Sequence, residues 1–321
     1  MARAKKAEKV AAQTPEPVEV IPCPSIVNPG SPLLESYTYH SPHPTAPGPY
    51  MLGVDEAGRG PVLGPLVYGV AYCPLSYHED LRGLGFADSK TLTPEVRSSL
   101  LRTLSSDPKS LGWSVRVLSP QSISAGMLRR PPVNLNQQSQ AATVHLIQEV
   151  LKSGIELAEI YVDALGNTET YQAYLSKLFP GLDIVVTKKA DSIYKIVGAA
   201  SVAAKVTRDA WVEDWVFEEA GEDTDTEKQK PWGAEYGSGY PSDPKTKAWI
   251  QSSLDKTFGF PSFARFSWTT IKVELDKAGH SVEWIDEGQK GLIKAFASET
   301  GRDQGRCAVA KDLGIKSVGI L

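Results

Sequence analysis

The chain contains 321 residues, of which 41% are hydrophobic, and it carries a formal net charge of −4 at pH 7. This length suffices for one α/β core of about 200 residues with appendages, and no apolar run reaches the ~18 residues that a membrane-spanning helix requires. The three cysteines, Cys23, Cys73 and Cys307, have no C-x-x-C spacing. The sequence therefore excludes a disulfide-stapled secreted scaffold and predicts a reducing compartment.

Two segments of biased composition flank parts of the predicted core. Residues 1–49 are rich in Pro, Ser and Ala with little hydrophobic periodicity, so they are predicted to be a disordered N-terminal arm. Residues 221–233 are a predicted acidic surface loop, within a region where Glu213 to Glu227 hold eight acids and no Lys or Arg. Without those acids the formal charge is +4, so the overall acidity does not exclude a basic groove.

Strand and helix patterns alternate along the rest of the chain. Strands are predicted at 50–56, 66–73 and 112–118, then up to Asp163, and from 182 towards Asp191. Helices are predicted at 135–152, 168–178, 194–219 and 245–254. This alternation predicts an α/β layer architecture, although periodicity does not determine the order of the strands.

Acidic residues stand at the ends of three predicted strands, with Asp55 and Glu56 at the first, Asp163 at the second and Asp191 at the third. Ligands of open α/β sheets bind outside the carboxyl ends of the strands, so acids that are distant in sequence can converge there. Converging carboxylates favour a hard divalent cation such as Mg²⁺ over zinc. An acid pair before glycine also ends strands in solvated turns, so Asp55 and Glu56 alone leave that alternative open.

The turn after the first acids is Gly58-Arg59-Gly60. Glycine lets a backbone approach a ligand closely, and the planar fork of Arg59 suits a phosphate, so the segment predicts metal-assisted phosphoryl chemistry. Neighbouring side chains of a strand point to opposite faces. Asp55 and Glu56 are therefore expected to share one site only if the strand has already bent at Glu56, which the two glycines would allow.

Six motifs follow one another along the chain: GVDEAGRGPVLGP at 53–65, ADSKTL at 87–92, YVD at 161–163, KAD at 189–191, AASVAAKVTRD at 199–209 and GSGYPSDPK at 237–245. With the run FGFPSFARFSW at 258–268, they resemble the type 2 ribonuclease H family, and its eukaryotic catalytic subunit most of all. The resemblance implies a ribonuclease H-like mixed sheet flanked by helices as the core at 50–220. It also implies a small helical C-terminal extension at 234–280.

The same resemblance implies the activity. Asp55, Glu56, Asp163 and Asp191 would hold two Mg²⁺ or Mn²⁺ ions. The enzyme would cleave the RNA strand of RNA–DNA hybrids, and single ribonucleotides embedded in duplex DNA on their 5′ side, leaving 3′-hydroxyl and 5′-phosphate ends. Ribonucleotide excision and RNA primer removal, in the nucleus or cytoplasm, are the implied roles.

Substrate recognition is expected to depend on the 2′-hydroxyl, the backbone group that distinguishes RNA from DNA. The resemblance assigns its recognition to Gly58, Arg59 and Gly60 together with Tyr240, whose ring would stack on the sugar after the scissile phosphate. From the residues alone, Arg59 pairing with a carboxylate and Tyr240 packing a turn remain alternatives. Lys90, Lys205 and Arg208 are further candidates for phosphate contacts, although a solvated helix face explains the last two equally well.

Family members from eukaryotes act with two non-catalytic subunits, so the resemblance implies a heterotrimer. The tail at 281–321 ends in apolar residues and is a candidate docking segment. A catalytically inactive protein that binds hybrids or holds partner subunits is the competing hypothesis, and retention of all four acids argues against it. The aromatic residues of 258–268 are expected to be core, because aromatic side chains dominate buried area, although a base-stacking platform is the alternative.

Overall fold

The computed structural model of the protein describes residues 23–86, 92–164, 166–220, 232–233, 235–281 and 307–315. In these residues the strands are β1 (Tyr37–His40), β2 (Tyr50–Ala57), β3 (Leu66–Pro74), β4 (Gly112–Leu118), β5 (Leu157–Asp163) and β6 (Asp183–Thr187). The helices are α1 (His78–Gly83), α2 (Pro94–Ser106), α3 (Pro120–Leu128), α4 (Leu135–Lys152), α5 (Thr168–Leu178), α6 (Ala190–Ile193), α7 (Lys195–Glu213), α8 (Pro244–Ser252), α9 (Thr269–Ala278) and α10 (Ala308–Asp312).

The six strands form one mixed sheet in the order β1-β4-β3-β2-β5-β6. Neighbours from β1 to β2 are antiparallel, whereas β2, β5 and β6 run parallel, so the carboxyl ends of these three strands meet at one edge. Pairing between β2 and β5 extends only to Val54 opposite Val162. The sheet is therefore open between the last residues of β2 and β5.

Each face of the sheet is covered by its own helices, as the α/β prediction requires. Met51 and Ala57 of β2 pack with α7 and α2 in one hydrophobic cluster. Leu52 and Val54 pack with α4 and α5 in the other. Side chains alternate between faces along a strand, so odd positions of β2 face α7 and even positions face α4. The predicted mixed sheet flanked by helices is confirmed.

Helix α7 lies unusually close to the sheet because two strand residues have no side chain. A Cβ atom on Gly53 would overlap the backbone of Ile196, and one on Gly69 would overlap the carbonyl oxygen of Ala200. Small residues dominate the buried side of α7, which permits this approach. The helix runs along β2 and brings its later residues, Lys205 and Arg208, to the carboxyl end of that strand.

The prediction of disorder for residues 1–49 is wrong for residues 23–49. Ser25 is fully buried and its hydroxyl lies 2.6 Å from that of Thr207 on α7. Tyr37 donates to the carbonyl of Ser25 at 2.7 Å, and β1 pairs with the edge strand β4. The polar groups of this segment find partners on the core, which composition cannot show. Residues 1–22 lie outside the described residues.

The helix predicted at 194–219 is shorter than expected. It ends at Glu213, and Trp215 and Phe217 then turn into the core, where both pack against Phe263. Burial of these aromatic rings outweighs continuation of the helix. Phe260 and Phe263 are buried as predicted for the aromatic run, but Phe258 is 72% exposed.

The C-terminal part is helical in α8 and α9, as expected, whereas most of the predicted acidic loop, at 221–231, lies outside the described residues. The division into segments at 220, 233 and 280 stays a prediction. Among the helices that the structure describes, none combines the length and the hydropathy needed to cross a bilayer.

Candidate active site

A cavity of about 480 Å³ lies at the carboxyl ends of β2 and β5. Its walls include the candidate residues Asp55, Glu56, Gly58, Arg59, Gly60, Asp163, Asp191, Lys205, Arg208 and Tyr240. Lys90 falls in 87–91, outside the described residues. The structure thus brings together acids that are more than a hundred positions apart, with the glycine turn and two cations of α7 beside them.

The first two acids reach this cavity from opposite faces of the sheet. The strand does not bend at Glu56, because β2 continues to Ala57 and Glu56 pairs with Tyr68 of β3. The expectation of a bend is therefore wrong. Both carboxylates can line one cavity because β2 and β5 no longer pair beyond Val54 and Val162, which leaves the sheet open at that level.

Asp55 is buried on the α7 face and is held by polar groups there. Its Oδ1 accepts the backbone N–H of Glu56 at 2.7 Å, and its Oδ2 lies 3.9 Å from Nζ of Lys205. Lys205 in turn donates to Ser201 at 2.6 Å. Burial raises the pKa of Asp55, and the nearby Lys205 opposes that shift only in part. Lys205 therefore faces the site and not a solvated helix surface.

Asp163 and Asp191 are linked through the turn between β6 and α6. The backbone N–H of Ala190 donates to Oδ1 of Asp163 at 2.9 Å, and Asp191 is the next residue of α6. Lys189 adopts a left-handed conformation with φ 57°, which redirects the chain from the strand into this helix. Asp191 is buried. Asp191 is thus placed by a helix after β6 and not by the strand end itself.

The four acids form a site of concentrated negative charge. Burial and then the charges of Asp55 and Asp163 raise the pKa of Glu56, although Arg59 and Lys205 counteract the shift. No three His, Cys, Asp or Glu side chains in the described part of the chain lie close enough to count as a formed metal site. The donor set nevertheless fits a hard divalent cation, since it consists of carboxylate oxygens whose mutual repulsion a cation would relieve.

The glycine turn is packed tightly against the site. Gly58 has φ +86°, and a Cβ atom there would overlap the side chain of Arg208 and the carbonyl of Pro65. Arg59 extends to α4, where its guanidinium donates to Ser139 at 2.7 Å and to Asn136. The ring of Tyr240, which is 47% exposed, lies against Gly60. The turn and Tyr240 therefore form one continuous surface beside the acids.

Arg265 is the principal site residue that the sequence did not single out. It is fully buried and donates to the backbone carbonyls of Gly64 at 2.9 Å, Arg59 at 3.2 Å and Gly58 at 2.6 Å. Its guanidinium also lies 4.8 Å from the centre of the Trp268 ring. Burial, and then the charge of Arg208, lower its pKa to about 9. An arginine within an aromatic run predicted to be core was the signal that could have revealed it.

Arg208 is a largely buried cation with unused donors. Its side chain is 11% exposed, Nη1 lies 3.7 Å from Asp209, and neither Nε nor Nη2 has a hydrogen-bond partner among the described residues. Burial lowers its pKa. Burying a guanidinium whose N–H groups have no acceptors lowers the stability of the protein unless an anion accepts hydrogen bonds from them. The arrangement suits a phosphate oxygen entering the cavity.

We expect Arg208→Met to leave the free energy of unfolding of the free protein unchanged or higher, because the variant removes a buried and mostly unpaired charge. Affinity for an RNA–DNA hybrid, the substrate class that the resemblance of the motifs implies, should fall about tenfold through loss of a charge-assisted phosphate contact. The slope of log affinity against log salt should fall by about one unit. Arg102→Met, at an exposed position of α2, is the matched control. Equal salt slopes for wild type and Arg208→Met would contradict the phosphate contact.

Comparison with known proteins decides the family. The model of a family described as Ribonuclease HII matches residues 52–271. The chain belongs to the ribonuclease HII family. The resemblance inferred from the motifs is therefore confirmed, and the protein is a type 2 ribonuclease H. Membership implies an endoribonuclease that acts on RNA–DNA hybrids.

Relatives and solved structures agree with this family. A ribonuclease H2 subunit of Bos taurus is 47% identical over 257 residues, 78% of this chain and 83% of the relative. The corresponding ribonuclease H2 subunit of Arabidopsis thaliana is 45% identical over 270 residues, 84% of this chain and 86% of the relative. The crystal structure of ribonuclease H2 from Pyrococcus horikoshii OT3 is 34% identical with a TM-score of 0.56, over 71% of this chain and 98% of that one. The fold of this type 2 ribonuclease H is thus ribonuclease H-like.

Proposed function

We propose that this protein is the metal-dependent catalytic subunit of a type 2 ribonuclease H. It cleaves the RNA strand of RNA–DNA hybrids, and it cuts on the 5′ side of a single ribonucleotide in duplex DNA, leaving 3′-hydroxyl and 5′-phosphate ends. One observation carries the proposal: a single cavity combines four carboxylates with the Arg59 turn and Tyr240. Acids alone would support phosphodiester hydrolysis of any kind, whereas the adjoining turn supplies a surface for distinguishing ribose from deoxyribose.

Each part of the cavity has a task in this proposal. Asp55, Glu56, Asp163 and Asp191 hold two Mg²⁺ or Mn²⁺ ions, which when bound activate the attacking water and stabilise the leaving oxygen. Arg208 and Lys205, and Lys90 from the undescribed segment, bind phosphates. The backbone of Gly58, Arg59 and Gly60 contacts the 2′-hydroxyl, and the ring of Tyr240 stacks on the following sugar.

The proposal extends to assembly. Relatives whose names describe them as subunits of ribonuclease H2 support a multi-subunit enzyme, and we assign this chain two non-catalytic partners and roles in ribonucleotide excision and primer removal in the nucleus or cytoplasm. The tail at 281–321 remains the proposed docking segment. In its described part, Asp312 of α10 accepts from Thr257 at 2.5 Å and lies 3.9 Å from His280, while Leu313 and Ile315 are exposed. The part of the tail that the structure describes, at 307–315, thus contacts the catalytic unit and presents apolar side chains beside it.

A direct test compares three labelled duplexes: continuous RNA–DNA hybrid, DNA with one embedded ribonucleotide, and all-DNA. Cleavage of the first two in Mg²⁺ or Mn²⁺, with none of the third and none in EDTA, is the expected result. The 5′ and 3′ ends of the products identify the cut. Binding of hybrid without cleavage by the assembled enzyme would instead favour the inactive scaffold.

Tyr240 should contribute more to cleavage at a lone ribonucleotide than to cleavage of continuous hybrid. Stacking is worth roughly 1–3 kcal/mol per aromatic ring, so Tyr240→Ala should lower kcat/KM at a lone ribonucleotide by about tenfold to a hundredfold. Continuous hybrid should lose less, because neighbouring 2′-hydroxyls supply compensating contacts. Tyr240→Phe, which keeps the ring, is the matched control. Equal losses on both substrates would mean that Tyr240 serves general positioning and does not read the junction.

A further inference from the structure

Glu56 lies directly opposite Tyr68 in the antiparallel pair of β2 and β3. Directly opposed residues of such a pair project from the same face, with Cβ atoms about 4.5–5.5 Å apart. Their face is the one covered by α4 and α5, whereas Asp55 faces α7. The surroundings of Glu56 therefore come from different elements than those of Asp55.

Two tyrosine hydroxyls on this face are buried without a hydrogen bond of ordinary geometry. Tyr68 is 1% exposed and Tyr171 of α5 is 3% exposed, and within the described ranges the hydroxyls of Ser139 and Thr143 lie beside their phenolic oxygens without forming such a bond. Buried hydroxyls are almost always satisfied in folded proteins, and each exception needs a physical reason. A ring of this size could be buried as phenylalanine at no such cost, so the hydroxyl itself requires an explanation.

The charges of Glu56 and Arg59 both act on these two hydroxyls. The charge of Glu56 contributes to the raised pKa of each phenol, while Arg59 opposes it. The buried hydroxyls of Ser139 and Thr143 on α4 are the other polar neighbours, and Ser139 already accepts from Arg59. Both phenols are thus influenced by the carboxylate of Glu56 and by the arginine of the glycine turn.

Asp55 and Glu56 differ in the hydrogen-bond donors and cations that their two faces of the sheet supply. Asp55 has an N–H donor at 2.7 Å and the ammonium of Lys205 at 3.9 Å. No comparable side-chain donor is bonded to the Glu56 carboxyl in the described structure, although two buried phenols without a hydrogen bond of ordinary geometry lie on its face. An ionised, half-buried carboxylate requires donors for the oxygen lone pairs that a cation leaves free.

We propose that Tyr68 and Tyr171 are positioning residues that donate hydrogen bonds to the Glu56 carboxylate and hold it towards the ion site. This role rests on the metal-dependent function proposed above.

The test uses the full-length chain with Tyr68→Phe, Tyr171→Phe and the double variant. Each substitution keeps the ring and removes only the hydroxyl, so thermal melts without metal should be unchanged or slightly higher. Mn²⁺ affinity, measured by titration calorimetry, should fall about tenfold in each single variant, since hydrogen bonds to charged groups are the strong ones. On hybrid substrate in the assembled enzyme, kcat should fall by a similar factor with KM nearly unchanged.

Tyr72→Phe is the matched control. Tyr72 lies on the same face of the same strand and is fully buried, but its hydroxyl is 3.3 Å from His43, and Glu56 does not contribute to its raised pKa. Its Mn²⁺ affinity should equal that of wild type. A second control introduces Tyr68→Phe into Glu56→Gln, where removal of the phenol should have little further effect on Mn²⁺ affinity because the two residues act together.

The outcomes separate this role from the proposed function. Suppose that wild-type protein binds Mn²⁺ and cleaves hybrid, and that the stable phenylalanine variants bind Mn²⁺ with the same affinity as wild type. This result would overturn the tyrosine role alone. Wild-type protein that neither binds Mn²⁺ nor cleaves hybrid would overturn the proposed function and the tyrosine role with it. An equal loss of affinity in Tyr72→Phe would show a general effect of the strand and would also overturn the role.

Discussion

Asp55→Asn should lower kcat on RNA–DNA hybrid by on the order of a thousandfold, because loss of a metal-binding carboxylate removes several kcal/mol of transition-state stabilisation. Asp163→Asn should have an effect of the same size. The fold should survive both changes, since replacing a charge in a cluster of like charges relieves repulsion. Steady-state turnover and thermal melts on the same preparations measure the two effects separately.

In the metal-free protein, the buried carboxylates of this cluster should make the free energy of unfolding depend on pH. Burial raises the pKa of both Asp55 and Glu56. As pH rises above the ordinary carboxyl range, the unfolded chain therefore ionises these groups before the folded protein does. The free energy of unfolding should fall with rising pH over that interval and recover when a divalent cation is added. Glu56→Gln should show a smaller fall, as urea melts at several pH values would reveal.

Asp183→Asn is the control for the acid substitutions, because Asp183 is exposed at the first residue of β6, away from the cavity. It should retain wild-type turnover. Loss of turnover in step with loss of folded protein in Asp55→Asn and Asp163→Asn would contradict a metal site and indicate a structural role for these acids.

Arg265→Lys should have the largest combined effect on stability and substrate choice. Lysine keeps the charge but lacks the planar fork that reaches the carbonyls of Gly58, Arg59 and Gly64. Unsatisfied buried carbonyls cost about 1–3 kcal/mol each, so the free energy of unfolding should fall by a few kcal/mol. The glycine turn should also lose its fixed position, and kcat/KM for a lone ribonucleotide should drop by about a hundredfold.

Urea melts and kcat/KM on hybrid and single-ribonucleotide substrates test this expectation. Arg116→Lys is the comparison, since Arg116 of β4 is a partly buried arginine whose side chain donates to Thr38 far from the turn. Arg116→Lys should lower the free energy of unfolding by less than Arg265→Lys does, and it should leave substrate choice unchanged. Wild-type stability and selectivity in Arg265→Lys would show that the turn holds its conformation without the guanidinium.

The chemical groups of the site could be predicted from local sequence. Asp55, Asp163 and Asp191 each follow an apolar strand pattern, and the rule that ligands bind at the carboxyl ends of strands brings them together without coordinates. The strand and helix boundaries of β2, β3, β4, α4 and α5 were close to the predicted ones for the same reason, since hydrophobic periodicity is a local property.

Other features could not be predicted, because they depend on contacts between distant segments. Strand β1 lies in a segment whose composition predicts disorder, and it is ordered only by pairing with β4. In the sequence, Arg265 looks like an ordinary charged residue. Only the fold lets it donate to three backbone carbonyls about two hundred positions earlier in the chain. Neither partner shows in its own sequence neighbourhood what it will meet.

The sequence by itself determined which acids, glycines and tyrosine this protein carries, and it predicted that the acids following three strand patterns would meet at one edge of the sheet. Only the tertiary structure decided that Asp55 and Glu56 line one cavity from opposite faces of an unbent strand, because that depends on where the pairing of β2 with β5 stops. It also decided that Lys205 and Arg208 line the site, since the approach of α7 depends on the missing side chains of Gly53 and Gly69. Periodicity records which face of an element is apolar, whereas burial and partnership are set by whichever distant element packs against it.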